Sequence, residues 1–245
     1  FGCHESGDIF SLIMKKEGVD FSTAVEILAK KAGVELEEAS SSYNKDEAKK
    51  RREEKENLYD LYSRLSNAFH YLLVSSKEGD NAREYLKKRN VSQEMIEKFQ
   101  LGYAPFNKDW LYNFLKNKGY SDAFLKQSGL FSQKSEKWPL FRGRLMFPIR
   151  DRQGRTIAFS GRDLTGDDKA PKYINSPETQ IYQKKENYFG LYEAKNTISE
   201  GKFGPILCEG NFDVVSMHQA GYTSAIASLG TSFTNEQCTN MKKWY

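Results

Sequence analysis

The fold is decided by the stretch PILCEGNFDVVSMHQAGYTSAIASLG, residues 205–230. Its first part, PILCEG, predicts a short apolar strand, and NFDVVSMHQAG predicts a helix that ends at Gly221. TSAIASLG then predicts a second apolar strand. Because both strands are apolar almost throughout and a helix joins them, the stretch predicts a parallel β-α-β unit whose sheet is covered on both faces.

Two carboxylates lie where the first of these strands ends. Glu209 closes the strand immediately before Gly210, and Asp213 falls in the first turn of the helix. Open α/β sheets bind ligands at this carboxyl edge, and Mg²⁺ prefers a few carboxylates together with substrate phosphates and waters. The alternative is structural, since Asp213 would also be favoured by the helix dipole and Glu209 could be a solvated strand end.

The region before this unit predicts a β-hairpin. RLMFPIR and RTIAFSGR have the composition of strands, and DRQG supplies the turn between them. Pro148 inside the first strand predicts an edge or a bulge. The following APKYINSPET, residues 170–179, predicts a loop held by its two prolines, and NYFGLYEAKNTI, residues 187–198, predicts a helix.

The first half of the chain is predicted to be helical. Residues 8–32 contain two short helical patterns, and the apolar spacing from Leu58 to Leu72 predicts one continuous helix. Shorter helices are predicted over residues 80–88, 92–99, 108–118 and 121–127. We therefore expect an α+β chain with a C-terminal α/β part, in which a mixed helical and β subdomain precedes the first β-α-β of a truncated parallel sheet.

Basic residues are concentrated in the middle of the chain. The formal net charge of +4 is too small to indicate an anionic partner, but residues 137–185 contain eleven basic residues against five acidic ones. Some of these cations fall on or beside the predicted strands: Arg142, Arg144, Arg162, Lys172 and Lys184. If they converged on one surface they would bind a phosphate backbone or a triphosphate, and the alternative is a scatter of solvated side chains.

The three cysteines, Cys3, Cys208 and Cys238, are odd in number and far apart. This spacing argues against a disulfide framework and for a reducing compartment. The sequence contains neither a signal-like segment nor a long apolar run, so we expect a cytoplasmic protein with no membrane partner. Cys3 beside His4 could be half of a zinc site, but one Cys-His pair without a second is weak evidence and cannot close a tetrahedral site.

Several of these stretches, in this order, resemble the bacterial DnaG-type replicative primases over essentially the whole chain. FGCHESGDIFSLI resembles the end of the family's zinc-ribbon module, and ILCEGNFDVVSMHQAG with AIASLGTS resembles the start of its TOPRIM fold. FRGRLMFPIRDRQGRTIAFSGR, PKYINSPET and LYEA resemble its N-terminal RNA-polymerase subdomain. The resemblance implies four parts, which are the end of the zinc module (1–36), a linker and charged helix start (37–56), the primase subdomain (57–202) and an incomplete TOPRIM domain (203–245).

The resemblance also implies roles for individual residues. Glu209 matches the family's catalytic, metal-binding glutamate, and Asp213 matches a supporting acid. Cys3 matches the last of four zinc ligands, the other three of which would precede Phe1. The positions that match the family's template- and nucleotide-binding residues are Arg89, Arg142, Arg144, Arg162, Lys172 and Lys184.

By this resemblance the protein makes short RNA primers from ribonucleoside triphosphates on single-stranded DNA during replication. Mg²⁺ or Mn²⁺ would be the catalytic metal, with Zn²⁺ in the parent protein. Its partners would include an RNA–DNA hybrid, and a replicative helicase bound through a C-terminal domain that we expect to be absent. We expect a fragment that is inactive alone, because the family's Asp-x-Asp would lie beyond Tyr245. Two alternatives remain, a non-catalytic fragment that binds single-stranded DNA and another TOPRIM enzyme of nucleic acids.

Overall fold

The computed structural model describes residues 7–17, 19, 21–34, 45–132, 135–201, 204–230, 237 and 241. Its α-helices are α1 (Ile9–Glu17), α2 (Phe21–Ala32), α3 (Lys45–Ser75), α4 (Asp80–Lys88), α5 (Gln93–Lys98), α6 (Trp110–Asn117), α7 (Asp122–Gln127), α8 (Leu191–Ser199) and α9 (Asn211–Gln219). Short 3₁₀ turns cover Lys77–Gly79 and Lys184–Glu186. The strands are β1 (Gly102–Ala104), β2 (Phe131–Ser132), β3 (Ser135–Pro139), β4 (Arg144–Arg150), β5 (Thr156–Asp163), β6 (Tyr173–Asn175), β7 (Tyr188–Phe189), β8 (Ile206–Cys208) and β9 (Ala225–Ser228).

Helix α3 organises the first half of the molecule. The stripe predicted from its spacing is buried, and Leu61, Tyr62, Leu65 and Phe69 are at most 1% exposed. The helix packs against β1 and β5. The six helices predicted between residues 8 and 127, besides α3, are all present, so the 3.6-residue periodicity located them correctly.

The central sheet is antiparallel, with the strand order β1-β4-β5-β6. On one face, Phe159 of β5 lies 5.5 Å from the rings of both Tyr62 and Phe69 in α3. On the other face, Phe147 of β4 packs against Phe189 and Phe212 of the C-terminal part, at 5.7 and 5.1 Å between ring centroids. The sheet is therefore covered by a helix on one side and by the C-terminal unit on the other.

Pro148 is tolerated in β4 for the predicted reason. β1 pairs only with Arg144–Met146, so in the described strands Pro148 has a neighbour on one side, β5. The register between β4 and β5 also shifts between Ile149 and Arg150. A bulge beside the proline accommodates the missing amide hydrogen, as expected.

Two predicted boundaries are wrong. Within the predicted loop 170–179, Tyr173–Asn175 forms β6, because the long strand β5 would otherwise leave its outer backbone groups unpaired. Within the predicted helix 187–198, Tyr188–Phe189 forms β7, which pairs with β9. Gly190 then turns the chain with a φ of 83°, so α8 begins only at Leu191.

The C-terminal sheet has the order β7-β9-β8. β8 and β9 are parallel and connected through α9, which confirms the predicted β-α-β unit. The sheet is mixed, however, because β7 joins it antiparallel to β9. The expectation of cover on both faces is wrong for β8, since Leu207 is 42% exposed on this outer strand, whereas Ala225–Ala227 of β9 are buried.

None of the helices in the described ranges is long and apolar enough to cross a membrane.

Candidate functional site

The carboxyl edge of the C-terminal sheet carries the two predicted acids. Glu209 follows β8, and Asp213 lies in the first turn of α9; both side chains are exposed. A Cβ added at Gly210 would lie 3.4 Å from Oδ2 of Asp213, so this carboxylate folds back toward the strand end. Burial and the nearby Asp213 carboxylate together raise the pKa of the Cys208 thiol. The structure thus brings both acids to one edge.

These acids fit part of a Mg²⁺ site. Mg²⁺ is usually bound through one or two carboxylates and keeps several waters or substrate phosphates as its other ligands. Two exposed carboxylates beside a strand end meet that requirement. Across the described part of the chain, no group of three His, Cys, Asp or Glu side chains could hold a metal, so Glu209 and Asp213 stand without a third ligand there.

Asn175 joins the central sheet to this edge. Its Nδ2 donates a hydrogen bond of 3.1 Å to the carbonyl of Leu229, the residue after β9. Because β8 and β9 are parallel, Leu229 lies at the same edge of the sheet as Glu209. Sequence reasoning missed Asn175, and its signal was a side-chain amide inside the quoted motif PKYINSPET.

Two of the predicted arginines converge beside the first turn of α9. The guanidinium of Arg89, at the end of α4, lies 5.1 Å from the ring centroid of Phe212 and 5.4 Å from that of Tyr85. The guanidinium of Arg162, in β5, lies 5.8 Å from Tyr85 and 5.3 Å from Tyr173. The sequence did not predict that these arginines meet, and Tyr85, Tyr173 and Phe212 were not predicted as site residues.

Arg142 borders an open cavity of about 360 Å³ on a different part of the surface. Its guanidinium lies 4.6 Å from the ring centroid of Phe106 and 4.8 Å from that of Trp138. These rings are themselves 59% and 44% exposed. The cation is thus held by aromatic contacts, and its recorded contacts among the described residues include no carboxylate.

Arg144 lines the same cavity but is buried. Its Nη1 donates to the carbonyls of Gly161 and Pro171, at 3.1 and 2.9 Å, and Nη2 lies 3.6 Å from Asp163. Burial lowers the pKa of its guanidinium, and the Asp163 carboxylate opposes that shift. Arg144 therefore fixes the loop that leads into β6.

The predicted cations do not all share one surface. In the register of β4 and β5, Arg144 is opposite Asp163, and Leu145 is opposite Arg162. Since neighbouring residues of a strand project to opposite faces, Arg144 and Arg162 are on opposite faces of the sheet. The expected convergence is wrong for this pair, because the cross-strand partner of Arg162 is Leu145, which is one residue away from Arg144.

The remaining predicted residues are less constrained. Lys172 is exposed just before β6, and Lys184 is half-buried in the 3₁₀ turn, where its backbone amide donates to Glu178 at 3.3 Å. Neither lysine amine has an ion pair recorded within the described ranges. Cys3 lies outside the described residues, so its expected role as a zinc ligand stays a prediction.

A buried ion pair, which sequence reasoning missed, ties β4 to α8. Nη2 of Arg150 lies 2.5 Å from Oε1 of Glu193 and donates to the carbonyl of Lys98. Burial raises the pKa of the Glu193 carboxyl, and Arg150 opposes that shift. Glu193 is the acid of the quoted LYEA, so that motif secures the junction between the two sheets.

Comparison with known proteins agrees with this architecture. A family model described as "DNA primase catalytic core, N-terminal domain" matches residues 69–195. A Toprim domain model matches residues 206–245, and a CHC2 zinc finger model matches residues 1–44. A primase catalytic core followed by a Toprim unit defines the class of the chain.

Curated relatives of the chain are DNA primases. A DNA primase of Treponema pallidum is 38% identical over all of this chain and 39% of its own length, and one of Borreliella burgdorferi is 36% identical over all of this chain and 46% of its own. The chain belongs to the DnaG-type DNA primase family. It spans about two fifths of the length of these relatives.

Solved structures give the same result. The RNA polymerase domain of Mycobacterium tuberculosis primase DnaG matches with a TM-score of 0.71 and 34% identity, over 77% of this chain and 61% of that one. The Aquifex aeolicus primase, with zinc-binding and RNA polymerase domains, matches with a TM-score of 0.69 and 34% identity, over 99% and 56%. A DnaG primase catalytic domain bound to ssDNA matches at 0.67 and 38%, over 78% and 59%.

Proposed function

We propose that this chain serves in the synthesis of short RNA primers from ribonucleoside triphosphates on single-stranded DNA. The observation that carries the proposal is the junction at Asn175, which holds β6 and its neighbouring strands against the carboxyl edge that bears Glu209. Through that junction, the sheet that carries Arg162 lies against the edge that bears the two acids. Membership of the DnaG-type family supports the proposal.

Glu209 would hold Mg²⁺ or Mn²⁺ at this edge, with Asp213 in support. When bound, the metal would neutralise charge on the reacting phosphates. Arg89 and Arg162, which lie beside α9 through their contacts with Phe212 and Tyr85, would bind the phosphates of the incoming nucleotide. Guanidinium groups are suited to this task because their planar fork donates two parallel hydrogen bonds to a phosphate.

Arg142 would bind the backbone of the single-stranded template or of the RNA–DNA hybrid. Its guanidinium contacts two exposed aromatic side chains at the border of the cavity. Lys172 and Lys184 would add sequence-independent phosphate contacts. Arg144 would act indirectly, by fixing the loop from Pro171 into β6.

Several finer parts of the proposal rest on the family alone. The four segments 1–36, 37–56, 57–202 and 203–245 would be the end of a zinc module, a linker, the primase subdomain and the start of a TOPRIM domain. Cys3 would be a zinc ligand, in line with the CHC2 zinc finger match over residues 1–44. A replicative helicase would be a partner of the whole protein.

The second candidate is binding of single-stranded DNA without catalysis by this chain itself. It is favoured by the acids, since the described residues supply two carboxylates at the edge and no cluster of three metal ligands. Catalysis of nucleotidyl transfer by two metal ions needs more ligands than two side chains provide. On this second candidate, the chain would bind single-stranded DNA and make no primer.

Binding and synthesis can be measured separately. A fluorescent single-stranded oligonucleotide is titrated at several salt concentrations with the chain and with its Arg142→Ala and Lys172→Ala variants. Each lost phosphate contact should weaken binding and lower the slope of log K against log salt by about 0.7 for a single strand. If both variants kept the original affinity and slope, the template-binding role would be wrong.

Primer synthesis is then tested with ribonucleoside triphosphates and Mg²⁺ on the same strand. RNA product from this chain alone would contradict the second candidate. DNA binding without product supports it, and full-length protein then has to make primers in the same assay.

A further inference from the structure

Two positively charged guanidinium groups lie against one aromatic ring. Arg89 is 5.4 Å and Arg162 is 5.8 Å from the ring centroid of Tyr85. Among the described residues, neither guanidinium has a carboxylate within ion-pair distance. Like charges repel each other, so two cations placed at one ring need a compensating negative group.

The ring of Tyr85 supplies part of that compensation. The face of an aromatic ring carries negative charge, and a guanidinium within about 6 Å of its centroid is attracted to it. Each arginine has a second ring as well, Phe212 for Arg89 and Tyr173 for Arg162. Tyr85 is the ring that both arginines share. We call Phe212, Arg89, Tyr85, Arg162 and Tyr173 the aromatic ladder.

Hydrogen bonds hold the backbone beside both arginines of the ladder. Arg89 follows Tyr85 by one helical turn, and its amide donates to the Tyr85 carbonyl at 3.1 Å. The next residues are held to α9 by Gln219, which accepts from the amide of Ser92 and donates to the carbonyl of Asn90, both at 2.8 Å. Arg162 and Tyr173 are cross-strand partners in β5 and β6.

The hydroxyl of Tyr85 has no role in this arrangement. Its oxygen is buried and has no hydrogen-bond partner among the described residues, whereas the ring contacts Phe212 at 5.9 Å between centroids. A tyrosine retained for its hydroxyl would pair that group, because an unpaired buried oxygen costs stability. The ring itself is therefore the functional part of the side chain.

We propose that Tyr85 is a positioning residue whose ring holds the guanidinium groups of Arg89 and Arg162 together, so that they bind the phosphates of one nucleoside triphosphate as a pair. The inference rests on the proposed function, in which these arginines bind nucleotide phosphates. It adds that the pair depends on a residue that touches no phosphate. Tyr85 acts only through the arginines.

The test is the binding of ATP, measured by calorimetry on the whole chain. In Tyr85→Leu, which keeps apolar volume and removes the ring, ATP should bind about fivefold to twentyfold more weakly, since two cation–π contacts are lost. Tyr85→Phe keeps the ring and should bind ATP within about twofold of the original chain. The control is Tyr71→Leu, because Tyr71 is a 63% exposed residue of α3.

A double-mutant cycle separates positioning from a general structural effect. In the Arg89→Ala/Arg162→Ala background, Tyr85→Leu should change ATP affinity by less than about twofold, because the ring then has nothing to position. Equal losses in both backgrounds would overturn the inference. If Tyr85→Leu unfolds, pentafluorophenylalanine placed at position 85 keeps the ring shape and removes its negative face, and it should weaken binding as leucine does.

The measurements distinguish failure of the Tyr85 inference from failure of the nucleotide-binding role proposed for the arginines. If the arginine variants weaken ATP binding and neither Tyr85→Leu nor the fluorinated ring does, the inference is wrong and the nucleotide role of the arginines stands. If the double arginine variant binds ATP as the original chain does, both are wrong.

Discussion

At the scale of single residues, Arg142 and Arg144 show how one residue of separation changes a side chain's role. Arg144 is buried and donates to two backbone carbonyls, so its charge is used inside the protein. Arg142 is held by two exposed rings at a cavity, so its charge is available to a ligand. The sequence predicted both as phosphate-binding residues, because alternation along a strand cannot distinguish a solvated cation from a buried one.

This difference predicts opposite effects of two alanine substitutions. Arg144→Ala should lower the free energy of unfolding by about 2–4 kcal/mol, because two carbonyls lose a donor and the Asp163 carboxylate loses its cation. Arg142→Ala should cost less than about 1 kcal/mol, since it removes an exposed cation–π contact. Denaturant titration of both variants measures this, and equal losses would contradict the assignment of Arg144 to the interior.

At the scale of secondary-structure elements, there is a physical reason why the sequence predicted some elements and missed others. The long stripe of α3 and the strand–helix–strand pattern of residues 205–230 are strong periodic signals, and both are confirmed. The strands β6 and β7 have three and two residues, which is too short for a period to appear. They exist because β5 and β9 offer unpaired backbone edges, which is a tertiary cause.

Gly190 is the element-scale feature most open to a direct test. It connects β7 to α8 at a φ of 83°, and an added Cβ would lie 2.7 Å from Cγ1 of Val214. Gly190→Ala should therefore destabilise the chain by about 2–4 kcal/mol, from backbone strain and from the clash.

The matched control is Gly221→Ala. Gly221 has a φ of 92° and no atom within 4 Å of an added Cβ. The substitution there adds backbone strain alone, so the free energy of unfolding should fall by about 1 kcal/mol. If thermal or denaturant unfolding gave the same loss at both positions, close packing of α9 against the β7–α8 junction would not be a stabilising feature.

His218 links α9 to β9 and makes this unit sensitive to acid. Its Nε2 donates to the carbonyl of Ala225 at 2.9 Å, its Nδ1 is buried with no partner in the described part of the chain, and burial lowers the pKa of the imidazole to about 4. The unfolded chain, with an ordinary pKa near 6.5, binds the proton first as the pH falls. The stability that comes from keeping His218 neutral is therefore fully present above about pH 6.5 and is lost as the pH falls from about 6.5 to about 4.

The expected loss is about 3 kcal/mol over that interval, from the difference between the two pKa values. His218→Gln keeps a hydrogen-bond donor and removes the titration. Its unfolding free energy should fall less between pH 7 and 4 than that of the original chain. Parallel pH profiles of the two proteins would show that His218 is not kept neutral by the fold.

At the scale of the whole molecule, the site is formed by residues that the sequence keeps far apart. Arg89, Arg162 and Glu209 belong to α4, β5 and the end of β8, and no local pattern relates them. The sequence indicated Glu209 by its place at a strand end, Arg162 by the basic stretch and Arg89 by family resemblance. It could not predict that Tyr85 contacts both arginines or that Asn175 bonds to Leu229. Long-range packing of the two sheets decides this, through Phe147 between Phe189 and Phe212.

The hydrogen bond from Asn175 to Leu229 is predicted to keep the two sheets in register at the site. Asn175→Ala should cost about 1 kcal/mol of stability and weaken ATP binding by about fivefold or more, because β6, the strand that pairs with Arg162, is no longer held to the edge that bears the acids. Asn187→Ala is the control, since its Nδ2 donates a similar bond of 2.8 Å to Gln183 within one loop. Equal ATP affinity in the two variants would contradict this role.

The most direct test of the central claim is calorimetric titration of ATP, with and without Mg²⁺, into the original chain and its Arg89→Ala, Arg162→Ala and Glu209→Gln variants. If one site combines the arginines with the acids, each arginine variant should bind ATP about tenfold more weakly in both conditions, from loss of a charge-assisted contact. Glu209→Gln should lose only the additional affinity that Mg²⁺ provides. ATP binding that is unchanged in both arginine variants, or a Mg²⁺ effect that persists in Glu209→Gln, would contradict the account.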